Sequence, residues 1–263
     1  MNRRLICLLC LLPALAFGQK NKGAAPPPPE PVAEDKTVRD PNKVAALSLL
    51  GDSVQLISLN PARGDTVQSG EWTASPAGRL DDAVLQTLNT VVKASGKDRE
   101  IKLYTSTTRS LFGDPAALFV NGRLSLPGKL GDAVRQSGAA HLLLVTRSRQ
   151  EPTLAPALPA RILTALEGPG FVLDQRPSAQ IGFDGQGGLP VFAPFVSIRV
   201  ALVDLSDLKL KREQSIAVAS RLPVNAADAA NPWAATTPEQ RVQALEALIE
   251  AELPKAVKGL VAP

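Results

Sequence analysis

The chain contains a single histidine, His141, within the segment GAAHLLLVTRSR (138–149). A catalytic histidine needs an orienting carboxylate and a nucleophile or substrate beside it, and the sequence identifies neither. Histidine metal sites usually contain more than one histidine, so no ligand set can be built around this residue. His141 follows the glycine that ends a predicted helix and precedes an apolar run. We therefore expect a structural role, with the ring at the rim of a buried strand.

Two further patterns resemble binding motifs. Asp204 and Asp207 are spaced as D-x-x-D, but an EF-hand-like calcium loop needs more oxygen ligands and a glycine in register. Aspartate side chains often bond to their own backbone in turns, so we interpret this pair as turn residues. The segment GFDGQGG (182–188) is not followed by the lysine of a phosphate loop or by a helix start, which favours a hairpin loop.

No catalytic, metal or cofactor site is predicted from these patterns. The chain has no G-x-S-x-G nucleophile elbow, and no linear spacing points to the paired carboxylates of a glycosidase. We therefore expect a protein that is not an enzyme, with an unrecognised hydrolase as the third-ranked alternative.

The first 18 residues have the pattern of a secretory signal peptide. A basic start, MNRR, precedes the apolar run LICLLCLLPALAF, and Ala16 and Gly18 supply the small residues of a cleavage site. The apolar run is shorter than the ~20 residues of a membrane span. Both cysteines, Cys7 and Cys10, lie inside it, and Leu9 stands where a lipid-attachment site usually has a small residue. We expect cleavage after Gly18 and export to the periplasm without lipid.

The mature chain has no cysteine, which excludes disulfides, thiolate zinc sites and cysteine nucleophiles. Loss of Arg3 and Arg4 lowers the formal net charge from +4 to +2, a balance that argues against a nucleic-acid partner. Residues 19–43 are proline-rich and predict a disordered tether, with polyproline II structure at Pro26–Pro29. Residues 44–263 are long enough for one hydrophobic core.

Hydrophobic periodicity predicts the elements of the first half of this domain. KVAALSLLGDSVQLISLNP (43–61) has the pattern of two strands around a Gly51-Asp52 hairpin turn. LDDAVLQTLNTVVKAS (80–95) predicts a helix that buries Val84, Leu88, Val91 and Val92. EIKLYTS (100–106) predicts a strand, GDPAALFV (113–120) a short helix capped by Asp114, and PGKLGDAVRQSG (127–138) a helix that buries Leu130, Ala133 and Val134.

The second half begins with AHLLLVTRS (140–148), a run typical of a strand covered on both faces. Residues 151–190 have the composition of a Pro/Gly-rich insertion, with strands expected at about Gly170–Gln175 and Ala179–Phe183. A long hairpin follows from 196 to 218. Its first strand is predicted to bury one face and to expose Ser197 and Arg199 to solvent on the other. The residues of the buried face are Val196, Ile198, Val200 and Leu202.

A capping box at Thr237, Pro238 and Gln240 starts the last predicted helix, and Pro254 is expected to kink or interrupt it. Its predicted buried stripe is Val242, Leu245, Leu248, Ile249 and Leu253. The pattern as a whole predicts a single α/β domain: a mixed β-sheet with helices packed on it, and a long late β-hairpin followed by a C-terminal helix.

Large apolar side chains are concentrated between residues 154 and 195, in a segment with few element signals. They either complete the core or form an exposed surface for a partner or ligand. The candidate surface residues are Leu154, Leu158, Ile162, Phe171, Phe183, Leu189, Phe192 and Phe195.

Three segments together resemble a known structural type. AVRQSGAAHLLLV (133–145), VSIRVALVDLSDLKLKREQSIAV (196–218) and the C-terminal helix are similar to periplasmic α/β domains of the curli-secretion lipoprotein and of the amino-terminal domain of the Tol-system propeller protein. The order of elements also resembles uncharacterised exported proteobacterial proteins. The resemblance implies an α/β sandwich that works through partners, and it assigns no functional residue.

We therefore expect a non-enzymatic periplasmic protein that binds a cell-envelope protein in an adaptor or accessory role. The alternative is a small-ligand or lipid-binding protein that uses the apolar 154–195 region. Peripheral contact with a membrane is compatible with both, no cofactor is expected, and the sequence does not define an oligomeric state.

Overall fold

The computed structural model describes residues 38–59, 67–96, 98–149, 166–175 and 189–261, which belong to one compact unit. The strands are β1 (Asp40–Leu49), β2 (Ser53–Leu59), β3 (Val67–Thr73), β4 (Glu100–Tyr104), β5 (Phe119–Val120), β6 (Arg123–Leu124), β7 (Ala139–Arg147), β8 (Gly168–Asp174), β9 (Val191–Asp204) and β10 (Leu210–Ala219). The helices are α1 (Arg79–Ala94), α2 (Gly128–Arg135), α3 (Pro232–Ala235) and α4 (Pro238–Val261), and 3₁₀ turns lie at Arg109–Phe112, Pro115–Leu118 and Ala226–Asp228.

The long strand β9 joins two parts of the main sheet. Its first half pairs antiparallel with β8 and its second half pairs antiparallel with β7, while β10 pairs along the opposite edge. Beyond β7 the sheet continues through β1 and β4, all parallel. Beyond β8 it continues through β2, which is parallel, and then β3, which is antiparallel to β2. The sheet is therefore mixed, as the sequence predicts.

The two long helices cover one face of this sheet. Helices α1 and α4 pack on the largest hydrophobic cluster, which contains Leu143, Val145, Ile198 and Val200 from β7 and β9. On the opposite face, the 109–135 segment contributes Leu111, Leu118, Leu124, Leu126 and Val134 to a second cluster. The predicted fold class is thus confirmed: one mixed α/β domain with a late β9–β10 hairpin and a C-terminal helix.

The predicted hairpin at Gly51-Asp52 is wrong. β1 and β2 do not pair with each other; β1 lies between β4 and β7, and β2 lies between β3 and β8. Gly51 has a φ of 64° and the chain turns there from one part of the sheet into the other. A Cβ at this position would lie 3.0 Å from a Phe112 ring atom. Glycine therefore permits a kink in this case rather than a tight turn.

β9 also departs from the prediction, because neither of its faces is exposed to solvent in its first half. Val196, Ile198 and Val200 are buried as expected, but Ser197 is buried too and Ala201 is 2% exposed. The reason is topological, since β9 lies inside the sheet and both of its faces are covered. β7 fits its prediction, and Leu142, Leu143, Leu144 and Val145 are all buried.

The C-terminal helix starts as the capping box predicts. The Thr237 backbone N–H donates to Gln240 Oε1 at 2.9 Å, and the Gln240 N–H donates to Thr237 Oγ1 at 3.2 Å. Pro254 does not interrupt the helix, which continues to Val261. Residues after the proline, including Val257 and Leu260, are buried in the main cluster. Their packing offsets the hydrogen bond that a proline removes.

Smaller differences occur elsewhere. The short helix at 113–120 is a 3₁₀ turn, although Asp114 caps it as predicted by accepting from the Ala116 N–H at 2.9 Å. In α2, Ala133 is exposed rather than buried. β1 begins at Asp40, so the last residues of the predicted 19–43 tether belong to the sheet. The predicted signal peptide (1–18) and residues 19–37 of that tether lie outside the described residues.

The segment predicted as an insertion contains a central strand. β8 (Gly168–Asp174) is buried along its whole length and links β2 to β9. β8 lies inside the sheet because β9 is long enough to pair with β7 and β8 in succession. The strand expected at Ala179–Phe183 lies outside the described residues. No helix in the described part of the chain is long and apolar enough to cross a membrane.

Candidate functional site

His141 lines a pocket of about 430 Å³ near the amino-terminal ends of β1, β4 and β7, which we call the basic pocket. Its charged or titratable lining residues are Arg99, His141, Asp204, Lys211 and Arg212, and its apolar lining residues are Pro41, Val44, Leu202, Leu260 and Val261. His141 enters from β7, directly opposite Asp204 of β9. Arg99 precedes β4, and Lys211 and Arg212 lie in β10. Sheet topology thus assembles a site that no single segment of the sequence indicates.

The electrostatics of the basic pocket favour a neutral histidine and a charged aspartate. Desolvation lowers the pKa of His141 below its usual value; Asp204 opposes this shift, while Lys211 and Arg99 add to it. Burial alone would raise the pKa of Asp204. Hydrogen bonds from the Ser206 side chain and backbone and from Lys211 outweigh it and lower that pKa to about 2. The pocket therefore carries one carboxylate among three cations at neutral pH.

Asp204 and Asp207 are turn residues, as the sequence predicts. Asp204 Oδ1 accepts from the Ser206 N–H at 2.8 Å, and Asp207 Oδ1 accepts from the Lys209 N–H at 3.0 Å. Asp204 also pairs with Lys211 Nζ at 3.1 Å. Within the described ranges, no group of three or more His, Cys, Asp or Glu side chains is arranged to hold a metal ion.

A second cavity, of about 990 Å³, lies at the opposite ends of the same parallel strands, and we call it the polar cleft. Its walls include the kink from Leu50 to Ser53, the first turn of α1, the Thr105–Thr107 loop after β4 and Arg147 at the end of β7. Carboxyl ends of parallel strands are a common location for ligand sites. Whether the cleft can bind a ligand depends on whether its charged side chains already have partners within the fold.

Asp81 and Arg147 hold the kink from its two sides. The Asp81 carboxylate accepts from Ser48 Oγ at 2.5 Å, from the Leu50 N–H at 2.9 Å and from the Gly51 N–H at 3.1 Å. The Arg147 guanidinium donates to the carbonyl of Leu50 at 2.8 Å and to that of Ser53. Both side chains therefore act as backbone partners where β1 passes into β2.

Burial perturbs both of these groups. It raises the pKa of the Asp81 carboxyl, against the hydrogen bonds from Ser48, Leu50 and Gly51. It also lowers the pKa of Arg147, against nearby carboxylates such as Glu167. Perturbed groups in a cavity often mark a catalytic site, but structural networks shift pKa values as well. Here the hydrogen bonds of Asp81 and Arg147 to the backbone give both residues a structural role.

The hydroxyl of Ser53 is buried in the cleft without a hydrogen-bond partner among the described residues. It is the kind of group that the hydrolase alternative requires as a nucleophile. His141, the only histidine, lies in the basic pocket at the other end of the strands. Among the described residues, the Ser53 hydroxyl and His141 therefore do not form a nucleophile–base pair.

The candidate apolar surface residues fall into buried, exposed and undescribed groups. Phe171, Phe192 and Phe195 are at most 1% exposed, so they belong to the core and the surface assignment is wrong for them. They are buried because β8 and β9 are internal strands, and the Phe171 and Phe192 rings stack at 5.3 Å. Leu189 alone among the described members is exposed. Leu154, Leu158, Ile162 and Phe183 lie outside the described residues.

The sheet has three outer edges among the described strands, formed by β3, β4 and β10. β3 is anchored by Trp72, whose ring meets that of Trp233 edge-on at 5.8 Å. The Arg241 guanidinium lies 3.8 Å from the Trp233 ring centroid and 5.3 Å from that of Trp72. It also donates to the carbonyl oxygens of Trp233 and Thr236. This contact fixes the edge strand to the start of α4.

The sequence predicted neither the basic pocket nor the β3 edge. Arg99 is recognisable only as a residue before a strand, and Lys211-Arg212 only as charges after a turn. Knowledge that β4, β1, β7 and β9 are neighbours is needed to bring them together. For β3, the segment from 62 to 78 contains three glycines and few apolar residues, so its pairing with β2 has little local signal.

Comparison with known proteins identifies no family. No family model matches the chain, and no curated protein matches it. Among solved structures, a Xanthomonas campestris protein of the DUF330 family is similar at 10% sequence identity, over 83% of this chain and 84% of that one, with a TM-score of 0.34. A similarity this distant transfers neither a residue role nor a function.

Proposed function

We propose that this chain is an exported, non-enzymatic protein that binds a protein partner of the cell envelope in an adaptor or accessory role. The signal-peptide pattern of residues 1–18 supports export to the periplasm. The observation that carries the partner assignment is the open edge of strand β3. We propose that an extended segment of the partner pairs with this edge and adds a strand to the sheet.

The three edges differ in how they are protected. Natural proteins block unwanted pairing with charged side chains, prolines and short strands. β4 is short and has Glu100 and Lys102 in its sequence EIKLY, and β10 has the charged run Lys211-Arg212-Glu213. β3, with the sequence VQSGEWT, has only one charged residue, Glu71, and no proline. It is therefore the edge most open to a second strand.

Hydrogen bonding along β2 shows which groups of β3 face outward. The Ala74 N–H donates to the Asp52 carbonyl at 2.8 Å, and the register continues this alternation through Trp72, Gly70 and Gln68. Ser69 and Glu71 consequently direct their backbone groups away from β2. These are the groups that an added strand would contact.

The anchoring of β3 through Trp72 also supports binding. An edge that is already held in extended form loses less conformational entropy when a partner adds to it. Trp72, Trp233 and Arg241 provide that preorganisation on the core side of the strand. Ser69 and Glu71 remain exposed on the strand.

A matched pair of proline variants tests this proposal. Ser69→Pro removes an outward N–H from β3, whereas Ser215→Pro removes one from β10. The Ser220 N–H donates to the Pro194 carbonyl at 3.1 Å, and the register places Ser215 outward by the same alternation. Crosslinking in the periplasm followed by mass spectrometry measures the captured partner. We expect Ser69→Pro to lose a specific crosslinked species that the wild type and Ser215→Pro both retain.

Thermal unfolding of both variants separates binding from folding. A loss of capture counts only if Ser69→Pro unfolds within a few degrees of Ser215→Pro. If Ser69→Pro stays folded and retains every crosslinked species, the β3 edge is not the partner site. If both variants lose the same species, the partner does not distinguish β3 from β10, and the edge assignment also fails.

A further inference from the structure

We infer that the basic pocket binds an amphipathic anion, a carboxylate on an alkyl chain, with the carboxylate on Arg99 and the chain on the apolar wall. This site is separate from β3 and goes beyond the proposed partner binding. The inference rests on an unpaired arginine, on an excess of positive charge and on the apolar character of the wall beside them.

Arg99 is the cation of the pocket whose charge is not paired within the described part of the chain. It is partly buried at the pocket, and no hydrogen bond or ion pair joins its guanidinium to another described residue. Lys211, by contrast, is paired with Asp204 at 3.1 Å. A guanidinium presents donors in a planar fork that matches a carboxylate. A ligand carboxylate would therefore supply a counterion that the described residues do not.

The net charge of the pocket has the sign that an anion requires. Arg99, Lys211 and Arg212 face a single carboxylate, Asp204. His141 lies among them in a position where burial and the neighbouring cations oppose its protonation. Asp204 is already engaged by Ser206 and Lys211, so it is oriented within its own turn. The formal charge of these lining residues is therefore positive.

The wall of the pocket suits an alkyl chain. Val44 from β1 and Leu202 from β9 lie on the sheet, and Leu260 and Val261 come from the end of α4. The volume of about 430 Å³ lies within the usual range of small-ligand sites, roughly 300–1,000 Å³. Val44 and Leu260 are already buried, and the accessible apolar part of the wall belongs to the partly exposed Leu202 and Val261. An acetate-sized anion would leave that part uncovered, whereas an alkyl chain would bury it and gain free energy from the apolar area removed from water.

The polar cleft shows why a cavity of larger volume does not carry the same inference. Its partly buried arginine, Arg147, donates to two backbone carbonyls, and its buried carboxylate, Asp81, accepts from two backbone N–H groups. Those groups are occupied by the fold. In the basic pocket, no backbone carbonyl among the described residues takes the guanidinium of Arg99.

Isothermal titration calorimetry with sodium dodecanoate, below its micelle-forming concentration, tests the inference on the purified mature chain. Dodecanol serves as the neutral analogue and acetate as the headgroup alone. The variants are Arg99→Gln and, as the matched control, Arg123→Gln on the exposed surface of β6. We expect wild type and Arg123→Gln to bind dodecanoate equally, and Arg99→Gln to bind it at least about tenfold more weakly, a loss of about 1.4 kcal/mol.

The two analogues separate the contribution of the carboxylate from that of the alkyl chain. Dodecanol should bind at least about tenfold more weakly than dodecanoate, and acetate should give no measurable heat at the same concentrations. Equal binding of dodecanol and dodecanoate would show a purely apolar site and overturn the inference. Equal affinity of Arg99→Gln and wild type, with both proteins folded by circular dichroism, or no binding of dodecanoate at all, would overturn it as well.

Discussion

The polar cleft and the basic pocket lie at opposite ends of the same parallel strands, and each contains an aspartate that is hydrogen-bonded within the fold, but their arginines differ. In the cleft, Asp81 and Arg147 bind backbone groups of the Leu50–Ser53 kink. In the pocket, Asp204 is satisfied within its own turn, and Arg99 is left without a partner among the described residues. The difference teaches that charge in a cavity indicates a ligand only when the fold does not already use it.

Asp81→Ala is expected to have the largest effect, because it removes the acceptor of three hydrogen bonds in a buried position. Two backbone N–H groups and the Ser48 hydroxyl would lose their partner, and each unsatisfied buried group costs about 1–3 kcal/mol. We expect a loss of at least about 3 kcal/mol in the free energy of unfolding, measured by urea denaturation.

Asp82→Ala is the matched control, since Asp82 is the exposed neighbour in the same first turn of α1. It should cost only the helix-dipole contribution, about 0.3–1 kcal/mol. Equal effects of the two substitutions would show that the Asp81 carboxylate does not hold the kink.

The same substitution in the two arginines compares the cavities directly. Arg147→Gln shortens a side chain that donates to the carbonyls of Leu50 and Ser53, so we expect a loss of about 2 kcal/mol in the free energy of unfolding. Arg99→Gln removes a charge that is not paired within the described residues, so its effect should be within about 0.5 kcal/mol. A greater cost for Arg99→Gln than for Arg147→Gln would reverse the roles assigned to the cleft and the pocket.

A smaller, pH-dependent effect is expected at His141. Its folded pKa lies below the usual histidine value of 6.5, so the unfolded chain binds more protons as the pH falls below that value. The free energy of unfolding should therefore decrease as the pH falls through this window and be unaffected by His141 above it. Denaturation of His141→Gln should show a weaker decrease in the same window. Parallel pH profiles of the variant and wild type would contradict a neutral, partly buried His141.

The sequence predicted those elements whose signals are local. The capping box at Thr237 and Gln240, the helix that buries Val84 and Leu88, and the strand containing Leu142–Val145 depend on neighbouring residues and are confirmed. The Gly51 kink was misinterpreted because a positive φ suits a hairpin turn as well as a kink. Only the pairing of β1 with β7 and of β2 with β8 distinguishes the two.

The candidate sites were less predictable than the fold for the same reason. Phe171, Phe192 and Phe195 lie in a Pro/Gly-rich stretch, which suggested an exposed surface, yet the length of β9 makes β8 an internal strand. The basic pocket combines Arg99 with Lys211, which are far apart in the chain. Such sites depend on strand order, and strand order is set by long-range pairing that periodicity does not reveal.

Amide hydrogen exchange along β3 tests the central claim, that a partner strand adds to this edge, most directly. In the free protein, the inward N–H groups of Gly70 and Trp72 should be protected, and the outward N–H groups of Ser69 and Glu71 should exchange rapidly. On addition of the partner captured by crosslinking, we expect Ser69 and Glu71 to become at least about tenfold slower while Gly70 and Trp72 change little. Unchanged exchange at Ser69 and Glu71 in a saturated complex would contradict the account.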